Sequence, residues 1–166
     1  MDGLPIRPAQ EERMVRLADM PEWERDYLLQ LECPAFPSTP WVPASPAHKR
    51  RVAIISTAGL QPRGDRPFME GTADFRLIPG DLDSNDLVMS HISVNFDRTG
   101  FQEDHNVVFP IDRLNEAAKD GAIGSVASYH YSFMGATDPR EMEKTVRHLA
   151  GLLKSDAVDT VLLVPV

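Results

Sequence analysis

The chain of 166 residues is long enough to fold around one substantial hydrophobic core, so one globular domain is the default expectation. It contains 17 Lys and Arg residues against 25 Asp and Glu residues, and the formal net charge of −8 disfavours binding to nucleic-acid phosphates or anionic lipid surfaces. Cys33 is the single cysteine, which excludes an internal disulfide framework and a cysteine-based zinc cluster.

The amino-terminal segment predicts a helical arm over residues 1–33. Residues 10–32 have a helical pattern that Pro21 divides into two pieces. The polar opening MDGLPIRPAQEERMVR lacks the apolar segment of a secretory signal, and no apolar run approaches the roughly 20 residues needed to cross a bilayer. We therefore expect a cytoplasmic protein with no membrane partner and, given its charge, no nucleic-acid partner.

Proline recurs at every third residue in the next segment, PAFPSTPWVPASP, from Pro34 to Pro46. This spacing matches the three-residue turn of polyproline II and is incompatible with a helix or a central strand. The pattern predicts an extended strap over residues 34–48. The strap either lies across its own domain through apolar side chains such as Trp41 or is a ligand for a proline-binding partner.

Residues 49–166 have the pattern of an α/β domain. Short apolar runs without alternation are typical of strands that are buried on both faces of a parallel sheet. Four such runs predict strands, at residues 51–57, 86–93, 123–129 and 158–166. Residues 58–85 contain Gly and Pro throughout and predict a long functional loop with at most a short strand at residues 74–78.

Two predicted helices connect the later strands. Residues 111–120 have a helical pattern that ends at Gly121. Asp138 has the type and position of an N-cap for a second helix that begins at Pro139, with Glu141 completing a capping box. Right-handed crossovers through these helices give a doubly wound, mainly parallel sheet, which we expect to be incomplete at its carboxyl-terminal end.

The residues that follow the predicted strands are the candidate site, because ligands bind beyond the carboxyl ends of the strands in such sheets. These residues are polar or small and predict a substrate pocket. The candidates are Ser56, Thr57, Gly59, Ser90, His91, Asp97, Arg98, His130 and Ser132. Asp97 and Arg98 lie in the segment NFDRTGFQEDHN, which is either a lid over the site or a loop fixed by their ion pair.

The sequence has no signature of a metal or nucleotide site. Its histidines and aspartates lack a tight spacing such as H-E-x-x-H, so we predict no metal site. Neither G-x-G-x-x-G nor G-x-x-x-x-G-K-[ST] occurs, which disfavours a nucleotide-dependent oxidoreductase.

Four longer segments are recognisable as motifs. They are ISTAGL (55–60), SHISVNFDRTGF (90–101), NVVFPIDRLNEAAKDGAIGSVASYHYSFMGA (106–136) and VDTVLLVPV (158–166). In this order they resemble selenoprotein B of the glycine/sarcosine/betaine/D-proline reductase family. The resemblance covers about residues 40–166, including PWVP in the strap. In members of the family the last motif continues into selenocysteine, or cysteine in some relatives, which is followed by two residues and then by a second cysteine at the head of a helix.

The resemblance implies a subunit of an oxidoreductase that reductively cleaves the C–N bond of glycine, sarcosine, betaine or D-proline-like substrates. It implies selenocysteine as the nucleophile, a pyruvoyl group on a partner subunit that forms a Schiff base with the substrate amine, and a thioredoxin-type dithiol as the reductant. Since UGA encodes selenocysteine and is normally a stop codon, we expect the chain to be truncated directly before it. The catalytic residue would then follow Val166, and residues 1–166 would contain none.

A function of a different class stays open on the residues alone. The chain is also consistent with a non-catalytic α/β module that binds or assembles with a partner, using the proline-rich strap as its docking element. An open reading frame beyond the Val166 codon would favour the reductase, and a frame that closes within a few codons would favour the module.

Overall fold

The computed structural model describes residues 16–30, 42–93 and 98–166. The chain divides into two units, Met1–Val42 and Pro43–Val166. None of the helices in the described ranges has the length and apolar character to cross a bilayer.

The first unit contains the described part of the predicted helical arm. A 3₁₀ turn at Leu17–Asp19 precedes helix α1, Glu22–Gln30. Pro21 lies between them, so the predicted break in the helical segment is confirmed. Residues 34–41 of the predicted strap lie outside the described residues.

The described residues of the second unit form seven strands and three further helices. The strands are β1 (Arg51–Ser56), β2 (Leu60–Pro62), β3 (Arg76–Pro79), β4 (Leu87–Met89), β5 (Ser125–Val126), β6 (Tyr129–Ser132) and β7 (Thr160–Val164). The helices are α2 (Thr99–Glu103), α3 (Ile111–Lys119) and α4 (Glu143–Ser155). Short 3₁₀ turns occur at Ala47–Lys49, Ser84–Asp86 and His105–Val107.

Strand β1 is the centre of a mainly parallel sheet. It pairs in parallel with β5 and β6 along one side and with β7 along the other. Strand β3 is added outside β6 and runs antiparallel to it. Ala53 and Ile54 are completely buried because β1 has strands on both sides and side chains packed over both faces. The predicted α/β class with a mainly parallel sheet is confirmed.

Helices α3 and α4 cover opposite faces of this sheet. Ile54 belongs to a core cluster against which Leu114 of α3 packs. Its neighbour Ile55 faces the other way and packs with Tyr131 and with Leu149 of α4. Because successive residues of a strand point to opposite faces, the two helices must lie on the two sides of the sheet, as a doubly wound arrangement requires.

The second predicted strand is not a member of the parallel sheet. Of residues 86–93, Leu87–Met89 form β4, which pairs antiparallel with β2 in a separate two-stranded sheet. The prediction was wrong because β6 and β7 already occupy the two sides of β1. The predicted long loop, residues 58–85, contains the partner strand β2 as well as β3, so it is more regular than expected.

Helix α4 begins later than predicted. Asp138 does not cap a helix that starts at Pro139; its carboxylate accepts a hydrogen bond from the Arg140 N–H at 2.9 Å and binds the Arg140 guanidinium. The N–H groups of Glu141 and Met142 donate three residues back, which makes a pair of tight turns. The α-helix starts only at Glu143, because the Asp138 side chain closes a local turn.

The third predicted strand is divided into β5 and β6 by an insertion opposite β1. Val52 pairs with Val126, and Ile55 pairs with Tyr131, so three steps along β1 correspond to five along its neighbour. The two extra residues form a bulge that interrupts the hydrogen bonding between β1 and this neighbour. One backbone N–H of β1, that of Ile54, is therefore left without a main-chain acceptor from this neighbour and binds a side chain.

Candidate functional site

The hydroxyl group of Thr57 continues the pairing of β1 with β7 beyond the ends of both strands. The Thr57 N–H donates to the Val164 carbonyl at 3.1 Å. The hydroxyl then accepts a hydrogen bond from the Val166 N–H at 2.8 Å and donates one to the Val166 carbonyl at 3.2 Å. One hydroxyl thus holds both polar main-chain groups of Val166 at the carboxyl edge of the sheet.

Gly135 packs against both Thr57 and Val166. Its N–H donates to the Thr57 carbonyl at 2.9 Å. A Cβ atom on Gly135 would lie 2.6 Å from the Val166 carbonyl oxygen and 3.0 Å from the Thr57 carbonyl oxygen. Because real Cβ atoms do not approach carbonyl oxygens so closely, this close backbone approach requires glycine. Thr57, Gly135 and Val166, which we call the edge clamp, form one packed group.

Gly59, Ser90 and His91 form a second group beside the edge clamp. The Ser90 N–H donates to the Gly59 carbonyl at 2.9 Å. Gly59 has a φ of +65°, and a Cβ atom there would lie 3.1 Å from the Cα and N atoms of His91. The Ser90 hydroxyl accepts from the Phe68 N–H at 2.9 Å and donates to the Gln61 side chain at 2.8 Å.

Ser56 and Ser132 use their hydroxyl groups to bind the chain that leaves β1. Both residues are completely buried. The Ala58 N–H donates to Ser56 Oγ at 3.2 Å, and the Leu60 N–H donates to Ser132 Oγ at 2.8 Å. These side chains satisfy backbone donors in the tight connection from β1 to β2, which is the expected treatment of buried N–H groups.

His91 and Arg98 lie together, and Asp97 falls outside the described residues. The Arg98 guanidinium donates to the His91 carbonyl at 2.5 Å and to the Ser93 carbonyl at 3.3 Å. Burial, and then the positive charge of Arg98, lower the pKa of His91. This part of the site therefore combines a neutral imidazole with a nearby cation.

His130 occupies a different position from the other candidates. Its Nδ1 atom accepts the hydrogen bond from the Ile54 N–H at 2.9 Å, in the middle of the sheet. The ring contacts Phe109 edge-on, and Nε2 lies close to Gly80 at the amino end of β6. Burial lowers the pKa of His130 to about 4. The side chain is a neutral link between strands and does not reach the edge clamp.

A buried arginine fastens the loop at residues 63–75 next to Ser90. Arg76 is only 4% exposed and donates to the carbonyl groups of Arg66, Pro67 and Phe75. It pairs with Asp74 at 2.9 Å, and its guanidinium lies 4.4 Å from the centre of the Phe68 ring.

The structure thus brings together Thr57, Gly59, Ser90, His91 and Arg98, with Ser56 and Ser132 directly beneath. Gly135 was not among the candidates, and the sequence signal for it is a glycine that directly follows β6 in SFMGA. Arg76 was also missed, because an arginine at the start of a short strand normally indicates a solvated side chain.

Other features of the described residues do not point to a second chemistry. In the described ranges, no three His, Cys, Asp or Glu side chains are placed to hold a metal ion. A cavity of about 90 Å³ lies beside Gly80 and Phe109, at the opposite end of β6 from the edge clamp. None of the eight candidate residues that the structure describes lines this cavity.

Comparison with known proteins gives a consistent set of relatives. Residues 16–166 match the family model described as glycine/sarcosine/betaine reductase selenoprotein B. The D-proline reductase subunit gamma of Acetoanaerobium sticklandii is 34% identical over 138 residues, which are 81% of this chain and 56% of that protein. The glycine reductase complex component B subunit gamma of Symbiobacterium thermophilum is 28% identical over 145 residues, 82% of this chain and 33% of that protein.

A third relative is the betaine reductase complex component B subunit beta of Peptoclostridium acidaminophilum, 27% identical over 126 residues. This match covers 73% of the chain and 29% of the relative. The chain therefore spans about half the length of the D-proline reductase subunit and about a third of the other two. No solved structure matches the chain significantly.

Proposed function

Because the chain belongs to the glycine/sarcosine/betaine reductase selenoprotein B family, we propose that it is the amino-terminal part of a reductase subunit that cleaves a C–N bond reductively. The substrate class is a small amino acid or methylated glycine, of the kind named for the relatives: glycine, sarcosine, betaine or D-proline. We propose that the subunit is cytoplasmic and works in a complex, in line with the two relatives that are named as components of reductase complexes.

The observation that carries this proposal is the edge clamp. In a doubly wound sheet the reacting groups lie beyond the carboxyl ends of the strands, and Val166 is held at that edge by Thr57 on one side and Gly135 on the other. We propose that the residue after Val166 in the complete subunit is the selenocysteine, or cysteine, that gives the family its chemistry. The chain is then truncated directly before its nucleophile.

The residues around the edge clamp fit such a group. When present, selenocysteine supplies the nucleophile, a pyruvoyl group on a partner subunit supplies the carbonyl that engages the substrate amine, and a thioredoxin-type dithiol supplies the electrons. Arg98 contributes a positive charge that favours the substrate carboxylate. Burial and the charge of Arg98 lower the pKa of His91, so its ring is neutral at pH 7 and adds no second cation at this edge.

The proposal is tested on the complete gene. Its nucleotide sequence after the Val166 codon should contain UGA or a cysteine codon, and a cysteine codon three positions later. Intact-mass measurement of the native polypeptide from selenite-supplied cells should give a mass well above that of 166 residues. Purified complex should oxidise a dithiol only when glycine, sarcosine, betaine or D-proline is added.

A frame that closes within a few codons, together with a native polypeptide of 166 residues, would refute the reductase proposal. That result would favour the non-catalytic binding or assembly module. A complete protein that oxidises dithiol with none of the four substrates would refute the substrate class and leave the family assignment untouched.

A further inference from the structure

We propose that Thr57 is the positioning residue that fixes the reacting residue of the complete subunit, and that it does so through the main chain of Val166. The inference rests on the proposed function, because it assumes that the reacting residue follows Val166. It goes beyond that function by assigning a role to a side chain that the resemblance leaves without one.

The hydrogen bonds of Thr57 exclude a direct chemical role. A hydroxyl group has one proton to donate and two lone pairs to accept with. The Thr57 hydroxyl donates its proton to the Val166 carbonyl and accepts from the Val166 N–H. It therefore has no proton to give to a substrate while this geometry holds, and its contribution is to hold the chain.

The clamp also fixes direction. The backbone of Thr57 is anchored separately, since its N–H donates to Val164 and its carbonyl accepts from Gly135. Both polar main-chain groups of Val166 are then bound to the hydroxyl oxygen of a residue whose own backbone is hydrogen-bonded on both sides. The Val166 carbonyl oxygen also faces Gly135, where a Cβ atom would lie 2.6 Å from it, so the orientation of the group that leads into the next residue is restricted from a second side.

Thr57→Ser should preserve the positioning role of Thr57, and Thr57→Val should abolish it. Thr57→Ser keeps the hydroxyl group, whereas Thr57→Val keeps the shape and removes both hydrogen bonds. Thr160→Val is a matched control, because Thr160 lies at the start of β7 and its hydroxyl donates to the side chain of the adjacent Asp159, away from Val166 in sequence. All three changes are made in the complete subunit, assembled with its partners.

The first measurement is the exchange rate of the Val166 amide proton, which does not depend on any reductase activity. Loss of its hydrogen bond in Thr57→Val should accelerate exchange by about tenfold, the equivalent of about one net hydrogen bond. Thr57→Ser and Thr160→Val should leave this rate within about twofold of the unaltered protein.

The second measurement is steady-state reduction of the substrate. A nucleophile displaced by about an ångström costs up to about 100-fold in rate, so Thr57→Val should lower kcat at least tenfold with KM changed less than about threefold. Thr57→Ser should restore most of kcat. Alkylation of the residue after Val166 by iodoacetamide, followed across pH, should change in rate in Thr57→Val and not in Thr160→Val.

The outcomes distinguish the positioning role of Thr57 from the proposed reductase function. Unchanged Val166 exchange in Thr57→Val, or changed exchange with unchanged kcat and alkylation, would overturn the positioning role. An unaltered complex without reductase activity would overturn the proposed function, while the exchange and alkylation results would still decide the role of Thr57. Equal losses in Thr57→Val and Thr160→Val would show general destabilisation and would also overturn the proposal.

Discussion

Ile54 donates its backbone N–H to the ring nitrogen Nδ1 of His130 at 2.9 Å, across the gap that the bulge between β5 and β6 leaves in the sheet. The imidazole therefore replaces a missing main-chain acceptor in the core. Because Nδ1 must keep its lone pair for this bond, the ring has to stay neutral in the folded protein.

This bond predicts a loss of stability in mild acid. The pKa of His130 is lowered from 6.5 to about 4 in the folded chain, so the unfolded chain binds a proton between these values and the folded chain does not. The free energy of unfolding should fall as pH decreases from about 6.5 to about 4, by up to about 3 kcal/mol. Urea unfolding of the unaltered chain at pH 7, 5.5 and 4.5 measures this loss.

His130→Gln is the matched variant for the acid effect. Glutamine has an amide oxygen that can accept from Ile54 and does not titrate in this range. The variant should start with a lower free energy of unfolding at pH 7 and lose less of it towards pH 4.5. If the free energy of unfolding fell with decreasing pH as steeply in the variant as in the unaltered chain, other groups would cause the acid sensitivity.

Gly135→Ala should disrupt the edge clamp. The added methyl group would lie 2.6 Å from the Val166 carbonyl oxygen, and neither this carbonyl nor that of Thr57 can move without breaking its hydrogen bonds. We expect a loss of about 1–3 kcal/mol in the free energy of unfolding, the usual cost of inserting a methyl group into packed structure. Thermal and urea unfolding measure it.

Gly151→Ala is the control for this change. Gly151 lies inside α4 and has open space where the methyl group would be. Alanine is favoured over glycine in a helix interior, so this variant should be more stable by up to about 1 kcal/mol. If the two alanine variants were equally stable, the close approach at Gly135 would not exist in solution.

Arg76→Lys should loosen the loop at residues 63–75. Lysine cannot satisfy the three carbonyl groups and the Phe68 ring that the guanidinium contacts, so buried acceptors lose their partners. We expect a loss of at least about 2 kcal/mol in the free energy of unfolding and faster proteolytic cleavage within the loop.

The exposed ion pair of Arg147 with Glu143 provides the comparison for Arg76. Arg147 is 77% exposed and lies on the surface of α4. Arg147→Lys should change the free energy of unfolding by less than about 0.5 kcal/mol. Equal effects of the two lysine substitutions would contradict a special role for the buried guanidinium.

Leu163→Lys should reduce self-association of the 166-residue chain. Leu163 is 68% exposed on β7, and Leu162 on the other face is 38% exposed. Exposed apolar side chains on a strand promote association between chains. Light scattering at increasing protein concentration should show a smaller mean mass for the variant than for the unaltered chain.

Val107→Lys adds the same charge at a different exposed apolar side chain, on the 3₁₀ turn His105–Val107 and outside β7. It should leave the association nearly unchanged. Equal suppression by both lysine variants would show that net charge, and not the surface of β7, controls the association.

The parts of the fold that were predictable from sequence are those whose partners are determined locally. Helix α3 was found because its apolar pattern and the glycine at position 121 both lie within a few residues of it. Strands β1 and β7 were found as unbroken apolar runs, but the two-sided burial that such runs predict holds for β1 and not for β7, where Leu163 is 68% exposed. The position of β4 was not predictable, because pairing with β2 depends on which neighbours β1 has already acquired.

In the candidate site, too, some positions follow from the local sequence and others depend on strand pairing. Strand ends predicted Thr57, Gly59 and Ser90 as neighbours, and the structure places them close together, since the carboxyl edge follows from strand direction. His130 was assigned to that edge by the same rule, but the bulge shifts β6 along β1 and moves its imidazole back to Ile54. A two-residue insertion in a partner strand leaves no local mark in the sequence.

The clamp on Val166 involves only main-chain atoms of that residue, and this restricts substitution at position 166 in an unusual way. Leucine, isoleucine or methionine can take the place of valine as long as they fill the space beside the hydrophobic cluster that contains Val108 and Phe109. Proline cannot, because it has no N–H to donate to the threonine hydroxyl. Two successive prolines are therefore incompatible with this end of the strand, although one, Pro165, is present.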